Sequence, residues 1–276
     1  MGKKTEYVTD PSDGMRAMVV GRWGEDKYKY LRHYVQSASG ARAKFTRRAY
    51  VDTFCGPGRV KYSDTGEFAD GGAIAAWRQS FKSKSPFTQV FISDADGENV
   101  RCCEARLKAL GANVVAKVGR AVDLAPIIAR ELPYGQHLAF LDPFSLGALP
   151  FEAIKPFAAI KKLDLIVNYS AYDQTRNILR MRLREIGGLD AFAPGWDKVI
   201  SPDSTALRSR LQLMDYWRNL LVGVGMKYSE EMPEMRNSKK GLLYWLVFAA
   251  HHPFANKLWD SITDDGQGDL FSQTGK

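Results

Sequence analysis

The sequence predicts an α/β fold: a doubly wound, mostly parallel seven-stranded sheet with an antiparallel last strand. Short apolar runs at 49–54, 89–93, 113–118, 137–141 and 163–168 have the character of parallel strands covered on both faces. Segments of helical periodicity separate or follow them, near 72–81, 98–110, 124–131, 151–160 and 173–186, as in βαβ units with right-handed crossovers. The alternation stops after residue 187. Two further apolar runs, 222–229 and 242–249, are joined by the polar stretch 230–240, too short for a crossover helix, so they should pair antiparallel.

Taken in order, residues 1–22 show no strong periodicity and read as an arm or lid. A helix follows over 25–37, where Tyr28, Leu31 and Val35 share one face. Residues 1–45 are thus expected to form an N-terminal arm and helix on the substrate side. The main domain spans 46–262, with a small insertion near 187–203 marked by Gly187-Gly188 and Ala193-Pro194-Gly195-Trp196. Within it a helix covers 204–221 and another 253–262. Residues 263–276 read as a flexible tail.

Composition narrows the classes. At 276 residues with 45% hydrophobic content, the chain can bury a large single core. No apolar stretch approaches the ~20 residues of a membrane span, and the N-terminus lacks the apolar segment of a secretory signal. Cys55, Cys102 and Cys103 have no metal-binding spacing, and a reduced, cytoplasmic protein is expected. His251-His252 has no acidic or cysteine partner at ligand spacing, so no metal is assigned. The net charge of +8 favours an anionic partner, nucleic acid first, and basic residues cluster at Arg42–Arg48 and at Arg176, Arg180, Arg182 and Arg184. A solvated surface accounts for such clusters equally well.

The chemistry concentrates at strand ends. The first strand stops at Asp52, and Cys55-Gly56-Pro57-Gly58 follows, a turn that lets backbone lie against a ligand. No third glycine completes a dinucleotide fingerprint, since Arg59 and Val60 come next. Five βαβ strands followed by an antiparallel pair is the layout of a class I methyltransferase. In such a site Asp52, Phe54, Gly56 and Gly58 would hold the methionine end of S-adenosylmethionine. Asp94, closing the second strand, would take the ribose diol, with Asp96 capping the next helix. Asp123 stands near the adenine position, where it either binds the ring amine or caps a helix. The fourth strand ends in Asp142-Pro143-Phe144, a shortened form of the Asp/Asn-Pro-Pro-Tyr/Phe motif of amino-methyltransferases. There the acid would orient an exocyclic amine, the proline fix the turn and the ring stack on a base. A capped turn over a buried Phe144 is the other reading. Asn168 and Tyr169 either line the substrate side or edge the core, and Lys27 and Arg176 are placed on the substrate side.

The sequence resembles the three-Cys-motif partner protein family. The likeness runs through Asp26-Lys27-Tyr28-Lys29-Tyr30-Leu31, Tyr50-Val51-Asp52-Thr53-Phe54-Cys55-Gly56-Pro57-Gly58-Arg59, Ile92-Ser93-Asp94-Ala95-Asp96 and Ala139-Phe140-Leu141-Asp142-Pro143-Phe144. It continues through Asp164-Leu165-Ile166-Val167-Asn168-Tyr169 and Tyr244–Ala249 to His252-Pro253, covering most of 25–260. Arg120 stands where an acid is common, and Ser93-Asp94 replaces a glutamate-containing strand end. The resemblance implies a class I methyltransferase-like fold and a separate, radical-SAM-like partner protein that carries the three cysteines. Cys55, Cys102 and Cys103 therefore inherit no role from it. The expected activity is methylation of a nucleobase nitrogen, in nucleic acid or a nucleoside-type substrate. The alternative is a non-catalytic subunit that binds nucleotide or nucleic acid for that partner.

Overall fold

The computed structural model describes residues 5–265 apart from positions 184, 186, 202 and 238. Twelve strands appear among them. They are β1 (Tyr7–Thr9), β2 (Arg16–Val20), β3 (Arg48–Asp52), β4 (Arg59–Tyr62), β5 (Phe68–Asp70), β6 (Gln89–Asp94), β7 (Val114–Val118), β8 (Gln136–Leu141), β9 (Leu163–Ser170), β10 (Lys227–Tyr228), β11 (Glu234–Arg236) and β12 (Leu242–Ala250).

The main sheet has the order β10-β12-β9-β8-β3-β6-β7, with β11 also pairing β12. β7, β6, β3, β8 and β9 run parallel, whereas β12 is antiparallel to β9, β10 and β11. This is the doubly wound, mostly parallel arrangement with an antiparallel strand that the apolar runs imply. Both faces are covered. Along β8, Ala139 and Leu141 join one core with Val51, Phe91 and Trp217, while Leu138 and Phe140 join the other with Leu31, Trp77 and Trp259. That period-two division explains why the strands read as continuous apolar runs. All eight residues of β9 are buried.

The structure departs from expectation where strands are short and lack a long apolar run. The supposed arm contains β1 and β2, which join β4 and β5 in a second sheet of order β1-β2-β4-β5. β2 pairs in parallel with β4, some forty residues further on, so no local pattern announces it. The run 222–229 yields a shorter strand than expected: helix Ala206–Gly223 ends within its first two residues, Gly225, at φ +87°, turns the chain, and only Lys227–Tyr228 forms β10, which pairs antiparallel with β12 as the apolar runs imply. The 230–240 connection holds β11, an added edge strand. The helix expected over 151–160 is two short turns, Phe151–Ala153 and Lys155–Ala158. The last helix runs Pro253–Asp265, and positions 266–276 of the expected tail lie outside the described residues. Among the described residues no helix is long and apolar enough to cross a membrane.

Candidate functional site

β3 ends at Asp52, β6 at Asp94 and β8 one residue before Asp142. The pairings Asp52↔Ile92 and Asp52↔Phe140 make these three carboxyl ends neighbours on one rim. β3 and β8 are also where strand order reverses, and open α/β sheets bind ligands in the crevice beyond such a point.

Asp52 is buried, at 2% exposure. Its Oδ1 accepts from the Phe54 amide at 3.0 Å, and the Tyr50 hydroxyl lies 3.5 Å from Oδ2. Helix Gly72–Lys82 begins against it: a Cβ on Gly72 would stand 3.3 Å from Oδ2 and 3.2 Å from the Phe140 ring. Burial pushes the Asp52 carboxyl up to about 8; the Phe54 amide opposes this, the Asp142 and Asp94 charges add to it, and Lys27 offsets part. The carboxyl is therefore largely neutral until a cation meets it.

The glycine turn ties β3 to β6. Gly56, at φ +54°, donates its amide to Asp94 Oδ2 at 3.0 Å, and the Cys55 amide reaches Ser93 O at 3.0 Å. Gly58, at φ +79°, packs so closely on helix Gly97–Ala109 that a Cβ would lie 3.2 Å from both the Cys103 Cα and Sγ. Asp94 Oδ1 accepts from Asp96 N, and Asp96 caps that helix through Glu98 N while pairing Arg16 at 2.7 Å. Two hydroxyls next to the strand-end acids, Thr53 Oγ1 and Ser93 Oγ, are buried without a partner. Unsatisfied buried oxygens beside two carboxylates and a Cβ-free turn suit a ligand with a cationic amine and a diol, so the residues present fit S-adenosylmethionine.

Asp142 is gripped from two sides. Lys27 Nζ, on helix Trp23–Ser37, donates to Oδ2 at 2.6 Å, and Asn168 Nδ2, from β9, donates to Oδ1 at 2.6 Å. The pair is well enclosed, with side-chain exposures of 13% for Lys27 and 12% for Asp142. Burial alone would lower the Lys27 ammonium's pKa, but Asp142 reverses this and holds the charge on, helped by the Tyr28 and Tyr244 rings 5.1 and 5.7 Å away. With Nδ2 committed, Asn168 Oδ1 is buried and unpartnered. Pro143 is buried and Phe144 stands 83% exposed, which answers the alternative of a core phenylalanine.

Three expected site residues are placed otherwise or lie outside view. Tyr169 is fully buried among Phe192, Trp217 and Trp245, with centroids 5.3, 5.4 and 6.0 Å away, and its hydroxyl accepts from Gln174. The strand pleat sends it to the face opposite its neighbour Asn168, so it is a core residue. Asp123 does not cap its helix; its exposed carboxylate makes a two-point pair with Arg120, at 2.8 and 3.1 Å. The side chains of Arg176 and Arg184 lie outside those described. Of their basic cluster, Arg182 braces the insertion through Ser201 O, Ser204 O and Ser209 Oγ, and Arg180 pairs Glu185. Gly72, Thr53 and Tyr244 stand beside these side chains and were assigned no role from the sequence, although Thr53 and Tyr244 fall inside the matched stretches.

The chain matches no protein-family model and no curated protein. It is similar to several solved structures. A DUF519-family protein from Legionella pneumophila aligns at 11% identity and TM-score 0.49, over 86% of this chain and 91% of that one. An O-methyltransferase from Bacillus cereus in complex with SAH aligns at 12% identity and TM-score 0.46, over 82% and 80%. An rRNA methylase from Streptococcus thermophilus aligns at 10% identity and TM-score 0.40, over 84% and 99%. The fold assignment, a Rossmann-like class I methyltransferase fold, rests on strand order and the antiparallel β12 rather than on these scores.

Proposed function

We propose that this chain is an S-adenosylmethionine-dependent methyltransferase acting on an exocyclic nitrogen of a nucleobase. The observation that carries the reading is the convergence of Asp52, Asp94 and Asp142 on adjacent strand ends at the point where strand order reverses. When bound, S-adenosylmethionine supplies an electrophilic methyl group on sulfur. Asp52 ionises to meet the cationic end of that ligand, and the Gly56–Gly58 backbone lies against its carboxylate end. Asp94, with Ser93 Oγ beside it, accepts from the ribose diol. Asn168 Oδ1 and Asp142 hold the target amine, Lys27 and Asn168 Nδ2 fix the Asp142 carboxyl in place, and Phe144 offers its face to the base. Positioning supplies the acceleration, since an aromatic amine needs its lone pair aimed more than its proton removed beforehand.

Isothermal titration with S-adenosylmethionine in two buffers of different ionisation enthalpy tests the cofactor half. Binding at pH 7 should release about one proton, because Asp52 must ionise. Absence of heat at millimolar ligand sinks the proposal. For the acceptor half, methyl transfer to mixed oligonucleotides should vanish in Asp142→Ala while cofactor binding survives.

A further inference from the structure

The opposite rim of the sheet carries charge of the other sign. Loops 159–162, 132–135, 42–47 and 82–88 precede β9, β8, β3 and β6, which are consecutive neighbours in the sheet. The four loops therefore stand in a row spanning about 15 Å at ordinary strand spacing. They hold no Asp or Glu, and they hold Lys44, Arg47, Lys82, Lys84, Lys161 and Lys162. The carboxylates that flank these loops in sequence are engaged: Asp164 is buried under the Tyr34 hydroxyl and the Gln136 amide, at 2.8 and 2.9 Å, and Glu131 pairs Lys117.

The row is rigid. Arg42 and Arg48, two of the clustered basic residues, face inward and clamp loop 82–88 through Ser85 O at 3.2 Å and Pro86 O at 2.8 Å. Gln136 N meets Arg47 O at 3.1 Å, and a Cβ on Gly135 would fall 2.0 Å from that carbonyl, so loops 42–47 and 132–135 are in direct contact. His137 N reaches Lys162 O at 2.8 Å. With the inner arginines used as fasteners, Lys44, Arg47, Lys82, Lys84 and Lys161 remain exposed. Aromatic rings sit among them: Tyr134 is 82% and Phe81 52% exposed, and Lys162 Nζ lies 4.7 Å from the Phe45 centroid and 6.0 Å from that of Tyr134.

We infer that this amino-terminal rim is a binding track for single-stranded nucleic acid, separate from the methyl-transfer site. The lysines and Arg47 take successive phosphates and Tyr134 takes a base face. Cations alternating with exposed rings on a fixed frame are what sequence-tolerant single-strand binding uses, whereas an acidic protein would leave the rings unexplained.

Fluorescence anisotropy with a labelled single-stranded 12-mer, as RNA and as DNA, tests the track. Affinity should fall steeply with salt, and the triple variant Lys44→Glu, Arg47→Glu, Lys161→Glu should bind at least ~10-fold more weakly, its log–log salt slope shallower by about 2. Tyr134→Ala should lose roughly tenfold without changing that slope. A melt of each variant, and single reversals if the triple is unfolded, keep loss of fold apart from loss of binding. The triple variant should titrate S-adenosylmethionine as wild type does, so failure here and failure of the methyltransferase reading are distinguishable. The inference is overturned if the triple variant binds like wild type, if a duplex of equal length binds as tightly, or if polyglutamate binds as the oligonucleotide does.

Discussion

Asp52 holds a charge state that its surroundings dictate. Burial sets its pKa to about 8 in the folded chain, against about 4 for an unfolded aspartate. Between those values the unfolded chain has released a proton that the folded chain keeps. Stability therefore falls as pH rises from about 4 to 8 and levels above, at up to about 1.4 kcal/mol per pH unit. Asp52→Asn mimics the protonated form and removes this slope. Its melting temperature should exceed that of wild type by a margin that widens from pH 5 to pH 8, while S-adenosylmethionine binding is lost. Parallel melting profiles for the two proteins would show that Asp52 is already ionised in the folded chain. The rim position of an acid directly after an apolar run was legible because strand ends have a fixed place in this fold. The fate of Tyr169 was not, because Asn168 and Tyr169 are both plausible ligands until the pleat assigns each a face. The pairing of Asp123 with Arg120, three positions apart at the start of a helix, is by contrast a local contact that spacing allows.

At the scale of the element, the glycine turn is a joint between β3, β6 and helix Gly97–Ala109, and its two glycines are not equivalent. Gly58 combines φ +79° with Cys103 backbone at 3.2 Å and Ile74 at 3.3 Å from any added Cβ. Gly56 has φ +54° and meets only the flexible end of Met18, at 3.4 Å. Gly58→Ala should therefore cost about 2–4 kcal/mol, and Gly56→Ala about 1. Chemical denaturation of both variants checks the order; equal losses would mean that backbone strain rather than helix contact governs the turn. The five parallel strands were readable because burial on both faces writes them as apolar runs, and β12 because it is nine residues long. β1, β2, β4, β5 and β11 were not, each being five residues or fewer and only partly buried, and β10 was read as the longer run 222–229.

At the scale of the whole molecule, a buried arginine is a central tie between the two sheets, beside the Arg16–Asp96 pair and the bond from Asn99 Nδ2 to the Tyr7 hydroxyl. Arg106, on helix Gly97–Ala109, is 6% exposed and donates to Asp13 Oδ2 and Oδ1 at 2.7 and 2.8 Å, to Arg16 O at 2.9 Å and to Pro57 O at 2.6 Å. Asp13 lies between β1 and β2 and Pro57 between the two glycines, so a single guanidinium joins the small sheet, the ligand turn and the main domain. Met15 O, at 3.4 Å, is a fifth acceptor; the fork geometry is what allows so many at once, and lysine cannot reproduce it. Arg106→Met would leave the Asp13 carboxylate and two carbonyls unsatisfied, costing about 2–4 kcal/mol. That corresponds to roughly a 5–15 °C drop in melting temperature for a domain of this size. Two further readouts separate this tie from simple core packing. Limited proteolysis should cut first between β1 and β2, and S-adenosylmethionine affinity should fall because Pro57 loses its anchor. Arg106→Lys should recover part of the stability and little of the affinity. If Arg106→Met melts lower but keeps full affinity and an uncut N-terminal segment, the small sheet is held by its own strand pairing, and the ligand turn is independent of it.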